Sequence, residues 1–308
     1  MVITRLVGGL GNQLFQYAAG RSLAALHGVD LKLDLSPFEE YRTRSYSLSA
    51  FRIQEAFASP EEVARVRRIG QPGLSSAVHR LHQRLKRYYR RATYRQRPVA
   101  RFDPNFFRAP SDVYLWGYWQ SEKYFEAIDA TIRSEFTIKS PMDAVSRTIA
   151  DRILSCESVC LHVRRGDYVS DARINQTHGT CSPAYYRESI DLVAGRVENP
   201  HFFVFSDDPA WVFNHITIGH PTDYSPATRF VHNIPGESYA NLLWLMSLCK
   251  HHIIANSSFS WWGAWLGEQP DSLTVAPAAG FVNRDAIPAH WRVLPETGSC
   301  AGQGERRP

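Results

Sequence analysis

The stretch Ser158-Val159-Cys160-Leu161-His162-Val163-Arg164-Arg165-Gly166-Asp167-Tyr168 decides the fold. A short, almost wholly apolar run that ends in two arginines, a glycine and an aspartate reads as a strand buried on both faces, opening into a polar loop. The pattern repeats downstream. A helix is expected over 184–197, a strand over 201–205, a helix over 237–249, a strand over 252–255, a helix over 257–267 and a strand over 273–276. Such alternation implies a parallel sheet covered by helices. Upstream, a helix over 144–154 follows the polar break Lys139-Ser140-Pro141. The first half has the same character: a strand over 1–7, a glycine turn, a helix over 13–27 ended by Gly28, strands over 30–35 and 113–119, and a helix over 122–136. The expected architecture is α/β, two Rossmann-like lobes with a cleft between them. The lobes are placed at 1–143 and 144–295, with a flexible tail over 296–308.

With 308 residues, 44% of them apolar, the chain is long enough for two medium cores. The longest apolar runs, 202–205 and 261–266, fall far short of the roughly 20 residues of a bilayer span. Residues 2–7 run straight into the glycine turn and read as a first strand, not a signal peptide. Five cysteines, at 156, 160, 181, 249 and 300, are odd in number and irregular in spacing, which points to a reducing cytoplasm and to thiols that fill core space. Cys156 and Cys160 lack a second Cys or His pair at finger-like spacing, so no metal site is expected.

The formal charge of +5 is unevenly spread: nine Lys or Arg and no acid lie between His79 and Arg101. Val78, Leu81, Leu85 and Tyr88 or Tyr89 fall on one helical stripe with the cations elsewhere. Two readings stand. One is a solvated helix face; the other is a patch for anionic lipid head groups or a pyrophosphate-linked acceptor, giving a cytoplasmic protein peripheral contact with the inner membrane face. No nucleic-acid-reading module accompanies the run, so nucleic acid is not an expected partner.

Four segments carry chemistry. In Gly8-Gly9-Leu10-Gly11-Asn12-Gln13, glycines between strand and helix let backbone approach a ligand, and Asn12 and Gln13 add amides at a helix N-terminus. The spacing is not that of a dinucleotide fingerprint, and a tight β-α turn alone also explains the glycines. In the segment from His162 to Tyr168, strand alternation sends His162 and Arg164 to one side and Arg165 to the other, where a carboxylate such as Asp167 is expected to meet it. Ser206-Asp207-Asp208-Pro209 ends an apolar strand; its carboxylates suit a metal, the N–H groups of a guanine, or a helix cap. In the fourth, Asn256, Ser257, Ser258 and Phe259 start a helix where backbone N–H groups, hydroxyls and the dipole converge, which suits a diphosphate. The tryptophans that follow read as core.

The strings GGLGNQLFQYAAGRSLA (8–24), LWGYWQSEKYF (115–125), HVRRGDYV (162–169), FSDD (205–208) and LMSLCKHHIIANSSFSWWGAWL (245–266) together resemble the bacterial α-1,2-fucosyltransferases, glycosyltransferase family eleven. The resemblance implies a GT-B fold, GDP-fucose as donor with no further cofactor, inversion of configuration, no metal, and distant kinship with α-1,6- and protein O-fucosyltransferases. It places Arg164 on the donor phosphates and His162 with Asp207 and Asp208 at the guanine end. Ser257, Ser258 and Phe259 would line the diphosphate with Asn256 as support, and Asn12, in the turn with Gly11 and Gln13, would lie near the fucose. Tyr118, Trp119 and Gln120 match the family pattern and either meet the acceptor or pack the first lobe. One departure is Leu242, where the family commonly has an aspartate. The expected reaction moves L-fucose to the 2-hydroxyl of a terminal galactose on an oligosaccharide or lipid-linked glycan, with Asp167 or Asp171 as candidate base. The alternatives are a fucosyltransferase of another linkage and a catalytically degenerate sugar-binding protein.

Overall fold

The computed structural model describes residues 1–40, 44–67, 81, 85–97, 101–140, 143–166, 179–224, 236–281, 283 and 285–295. The chain forms two units. The first comprises Met1–Pro141, Pro235–Asn241 and Val282–Pro288, the second Met142–Ile234, Leu242–Phe281 and Ala289–Pro308.

In the first unit, strands β1 (Val2–Arg5), β2 (Leu31–Asp34), β3 (Thr93–Arg95) and β4 (Val113–Trp116) pair in the order β2-β1-β4-β3, every pair parallel. Helix α1 (Leu10–His27) begins three residues earlier than the sequence suggests, because Gly9 takes an extended N-cap conformation and the turn feeds directly into the helix. Gly28 ends it in the left-handed conformation (φ 62°), which glycine adopts without steric cost. Helices α2 (Ser36–Glu40), α3 (Pro60–Arg67) and α4 (Asp129–Glu135) complete the regular helices described in this unit. The helix expected over 122–136 resolves into two 3-10 turns, Glu122–Tyr124 and Glu126–Ile128, ahead of α4.

The basic segment departs from its expected stripe. Arg87 is extended (φ −53°, ψ 138°) and breaks the helical phase, so Tyr89 turns inward from a 3-10 turn (Tyr88–Arg90). Leu81 and Leu85 stay 59% and 78% exposed. They are not core; Val78 lies outside the described residues.

The second unit holds strands β5 (Glu157–Val163), β6 (Pro200–Ser206), β7 (Thr222–Tyr224), β8 (His251–Ile253), β9 (Thr274–Pro277) and β10 (Arg292–Leu294), in the order β10-β9-β8-β5-β6-β7. All pairs are again parallel. Helices α5 (Ala144–Leu154), α6 (Pro183–Ala194), α7 (Pro209–His215), α8 (Gly236–Ser247, of which this unit holds the part from Leu242) and α9 (Ser258–Leu266) connect or precede them. Alternate residues of the central strands serve opposite faces. Val159, Leu161, Val163, Phe202 and Val204 pack with Tyr185, Ile190 and Val193 of α6, whereas Cys160, Phe203 and Phe205 pack with Leu245, Met246 and Cys249. Each such fully buried apolar side chain contributes about 1.5–3 kcal/mol, which is why the strands read as continuous apolar runs. Leu242 joins the second cluster as a partly buried member, so the usual aspartate position serves here as core. Trp261, Trp262 and Trp265 are buried, as is every described cysteine except the partly exposed Cys156.

Helix α1 lies close to its sheet at Gly20, where a Cβ would fall 2.1 Å from Thr4 Oγ1 and 2.9 Å from Leu31 Cδ1. Gly20→Ala would gain about 1 kcal/mol of helix propensity. Overpacking of about 1–3 kcal/mol opposes it. A net loss of stability is expected, read as a lower urea midpoint at unchanged m; an unchanged or higher midpoint would show that Thr4 and Leu31 yield freely.

Candidate active site

The sheet order of the second unit reverses between β5 and β8, and ligands of open parallel sheets bind outside the carboxyl ends of strands at such a switch point. The loops leaving these two strands are 164–166 and 254–257, two of the segments singled out in the sequence. A third, 206–208, leaves β6, the other neighbour of β5.

Asp207 organises the first loop. Its Oδ1 accepts from the Arg165 amide at 2.7 Å and its Oδ2 from the Gly166 amide at 3.0 Å, while Arg164 Nη1 lies 2.8 Å from Oδ2. A Cβ at position 166 would sit 2.7 Å from Asp207 Oδ2, so this close approach requires glycine. The Asp207 side chain is 4% exposed, yet Arg164 keeps 23% exposure, so the pair is anchored on the protein side and open on the other. Two amides and a guanidinium satisfy the carboxylate, as a buried charge requires.

Arg165 takes a different course, as strand alternation predicts. Its Nε lies 3.3 Å from Asp208 Oδ2 and its guanidinium stacks 4.1 Å from the centre of the Trp211 ring. The partner carboxylate in this structure is thus Asp208; Asp167, the expected one, lies outside the described residues, as does Asp171. Asp208 also caps α7 through the Trp211 amide at 3.0 Å, and its own amide donates to Ser206 Oγ at 2.9 Å. The Asp207–Asp208 pair therefore holds two arginines and a helix start. Of the roles read for these carboxylates in the sequence, the helix cap is the one seen here, at Asp208.

His162, at the end of β5, is buried, and its ring centre is 6.0 Å from that of Phe259. Nδ1 has no hydrogen-bond partner among the described residues. Burial, and secondarily the Arg164 charge, push its pKa down to about 3, so the ring is neutral at ordinary pH.

Beyond β8, Ser257 is the N-cap of α9 with an extended backbone (φ −129°, ψ 132°) and no side-chain capping bond. Ser258 and Phe259 open the first turn, whose amides have no acceptor within the helix. Ala255 N–H donates to Ser260 Oγ at 2.9 Å, which fixes the turn from behind. Asn256 is buried, donates from Nδ2 to the Gly179 carbonyl at 3.2 Å, and packs where a Cβ on Gly280 (φ 90°) would come within 2.2 Å. Asn256 thus braces the loop from within the unit. Trp211 and Gly280 escaped the sequence reading; for Trp211 the signal was its place three residues after a capping aspartate.

In the first unit, Gln13 is fully buried and its amide is spent on protein: Nε2 donates to the carbonyls of Gly8 and Ser45, and Oε1 accepts from the Ser47 amide, each at 2.9 Å. Its side chain braces the glycine turn. Gly11 is likewise buried within α1. Asn12 is partly exposed and accepts from Gln120 Nε2 at 2.8 Å. Trp119 is fully buried at a left-handed backbone position (φ 54°) and packs the unit, whereas Tyr118 beside it is 49% exposed.

The profile of "Glycosyl transferase family 11" matches residues 74–289. The chain belongs to this family and is a glycosyltransferase, and each of its two α/β units is built on an all-parallel sheet. An α-1,2-colitosyltransferase of Escherichia coli is 34% identical, the alignment covering 94% of this chain and 98% of that one. The O-antigen biosynthesis glycosyltransferase WbnK of the same organism is 30% identical, over 91% and 95%. A galactoside 2-α-L-fucosyltransferase of Caenorhabditis elegans is 28% identical over 58% of this chain and 51% of that one. Among solved structures, the NodZ α-1,6-fucosyltransferase co-crystallised with GDP aligns with a TM-score of 0.42 at 15% identity, covering 85% of this chain and 90% of that one. Among the described residues no cluster of His, Cys, Asp or Glu is arranged to hold a metal, and no helix is long and apolar enough to cross a membrane.

Two outcomes are expected. Breaking a buried ion pair costs about 3–5 kcal/mol, and the partial exposure of Arg164 lowers that, so Asp207→Asn is expected to lose about 2–3 kcal/mol of stability by urea unfolding. Stability close to the parent would mean that the loop holds itself. The second concerns acid. His162 must give up its proton to fold, so the unfolded chain binds a proton between pH ~6.5 and about 3 that the folded chain refuses, and stability declines as pH falls through that window. His252, lowered to about 4 chiefly by burial, adds to the decline. Unfolding free energies at a series of pH values should show a shallower slope in His162→Asn; an identical slope would contradict the assignment.

Proposed function

We propose that the chain transfers L-fucose from GDP-β-L-fucose to the 2-hydroxyl of a terminal galactose, on an oligosaccharide or a lipid-linked glycan, with inversion and without a metal ion. The observation that carries this reading is Arg164, clamped from behind by Asp207 at the carboxyl end of β5 with part of its guanidinium exposed. Negative charge grows on the departing diphosphate as the glycosidic bond breaks, and a fixed cation together with helix-start amides at Ser257–Phe259 absorbs that charge where a metal otherwise would. Because Asp207 is already positioned, little reorganisation is needed when the charge develops. Neutral His162 beside Phe259 presents an apolar wall with one unprotonated or protonated ring nitrogen, suited to a nucleobase edge and not to a phosphate. A β-linked donor giving an α-linked product requires one displacement through an oxocarbenium-like state, in which a base takes the acceptor hydroxyl proton. Asp167, one residue beyond Gly166, is the proposed base.

A second reading concerns the donor sugar. The near full-length relative named as a colitosyltransferase makes GDP-colitose, whose sugar is L-fucose lacking the 3-hydroxyl, a specific alternative donor.

The test is release of GDP from GDP-fucose, GDP-colitose and GDP-mannose with galactose-terminated acceptors, with and without EDTA, followed by linkage and anomeric analysis of the product. Fucose transfer to an α-1,2 linkage, unaffected by chelation, is expected. Activity lost with EDTA and restored by Mn²⁺ or Mg²⁺ would overturn metal independence, and exclusive use of GDP-colitose would select the second donor. Arg164→Lys keeps the charge but loses the planar fork, and turnover is expected to fall about a hundredfold, about 3 kcal/mol, with the fold retained. Arg165→Lys gives up its stacking on Trp211 and is expected instead to lower the melting temperature. Equal effects of the two on turnover would refute the division of roles.

A further inference from the structure

A pocket of about 530 Å³ in the first unit lies among three segments that the active site does not use: the end of α1, residues 86–90 and residues 107–110. Its walls include Lys86, Arg87, Arg90, Arg108 and His27, and no carboxylate. Among the described residues none of the four cations pairs with an acid. Arg87 donates to the Tyr89 hydroxyl at 3.0 Å, and Arg108 lies 5.4 Å from the Tyr89 ring and donates weakly, at 3.4 Å, to Asn105. His27 is held by Nε2–H donation to the Ala109 carbonyl at 2.9 Å. The Arg87 hydrogen bond, aided by the charges of Arg108 and Arg90, keeps the Tyr89 hydroxyl below its ordinary pKa. Four like charges around one concavity repel one another and focus a positive field into it, an arrangement that an anion relieves.

The surroundings say where that anion comes from. Leu26, beside the lining residue His27, is 57% exposed, and Leu85, beside the lining residue Lys86, is 78% exposed. Leu81, four residues before Leu85 in the sequence, is exposed as well. Large apolar side chains next to unpaired cations suit an interface where head groups meet acyl chains and not bulk water. We propose that this pocket binds the phosphate of an anionic lipid and docks the first unit on a membrane surface, with Leu26 and Leu85 entering the head-group layer. The inference is independent of the donor and acceptor assigned above.

Sedimentation of the full chain with vesicles tests it. Phosphatidylcholine vesicles with about 30 mol% phosphatidylglycerol are expected to retain the protein at about 0.05 M salt and release it at about 0.3 M, and pure phosphatidylcholine to leave it in solution. The double variant Lys86→Gln/Arg90→Gln should partition about 25-fold more weakly, about fivefold for each charge removed, with an unchanged melting curve and unchanged GDP release on a soluble acceptor. Leu85→Ser should weaken retention on the anionic vesicles severalfold without changing the salt dependence. Retention equal on neutral vesicles, no retention at low salt, or a double variant that partitions like the parent would each overturn the proposal. Inorganic pyrophosphate bound by the pocket without any vesicle association would assign it to a soluble anion and overturn the lipid source.

Discussion

A carboxylate buried at the end of β6 accepts two amides from the loop after β5 and faces the guanidinium of Arg164, and the ligand edge of the second unit takes its shape from that contact. Remove the charge and the loop loses two acceptors and its cation together. The two strands are neighbours in register, with Val163 opposite Ser206, so the sheet itself brings Asp207 to the loop. The demand for glycine at 166 follows from the same contact, because the amide reaches the carboxylate only where no Cβ intervenes.

Asp208 extends the arrangement outward. One oxygen starts α7 and the other steadies Arg165, whose plane lies on Trp211. Two adjacent arginines thus sit against two adjacent aspartates in parallel, one pair directed to the ligand edge and the other packed on an aromatic ring. The contact with Asp207 orients the guanidinium of Arg164, which stays 23% exposed. The neutral histidine beside it adds no repulsion to a cationic loop; burial has already removed its proton.

Much of this was legible before the fold was seen. The long buried strands and their helices follow from apolar runs that end in polar clusters, and the sheet brings those clusters to the carboxyl ends of β5, β6 and β8. The opposite fates of Arg164 and Arg165 follow from strand alternation. What escaped has physical reasons. Strands β3, β7 and β10 have three residues each and lie at or next to sheet edges, too short for a periodic signal. Gln13 carries the same amide whether it faces a ligand or ties down its own turn, and only the packing around Ser45 and Ser47 decides between them. The stripe through Leu81, Leu85 and Tyr88 assumed a single helix; the extended backbone of Arg87 separates Tyr88 from the leucines, which are exposed.

The first unit contains residues from near the far end of the chain. Asp285 accepts from the Phe102 amide at 2.8 Å and from Lys123 at 3.0 Å, its carbonyl takes the Ser121 hydroxyl at 2.7 Å, and Asn283 donates to the Gln120 carbonyl at 3.0 Å. On a ribosome that makes the chain from residue 1 onward, the sheet of β1 to β4 is translated early, but these contacts wait for more than half of the sequence to follow. The loop around Gln120 therefore completes its contacts only after residues 283–285 are made, and until then the emerging polypeptide must stay soluble with its first sheet formed but those loop partners missing.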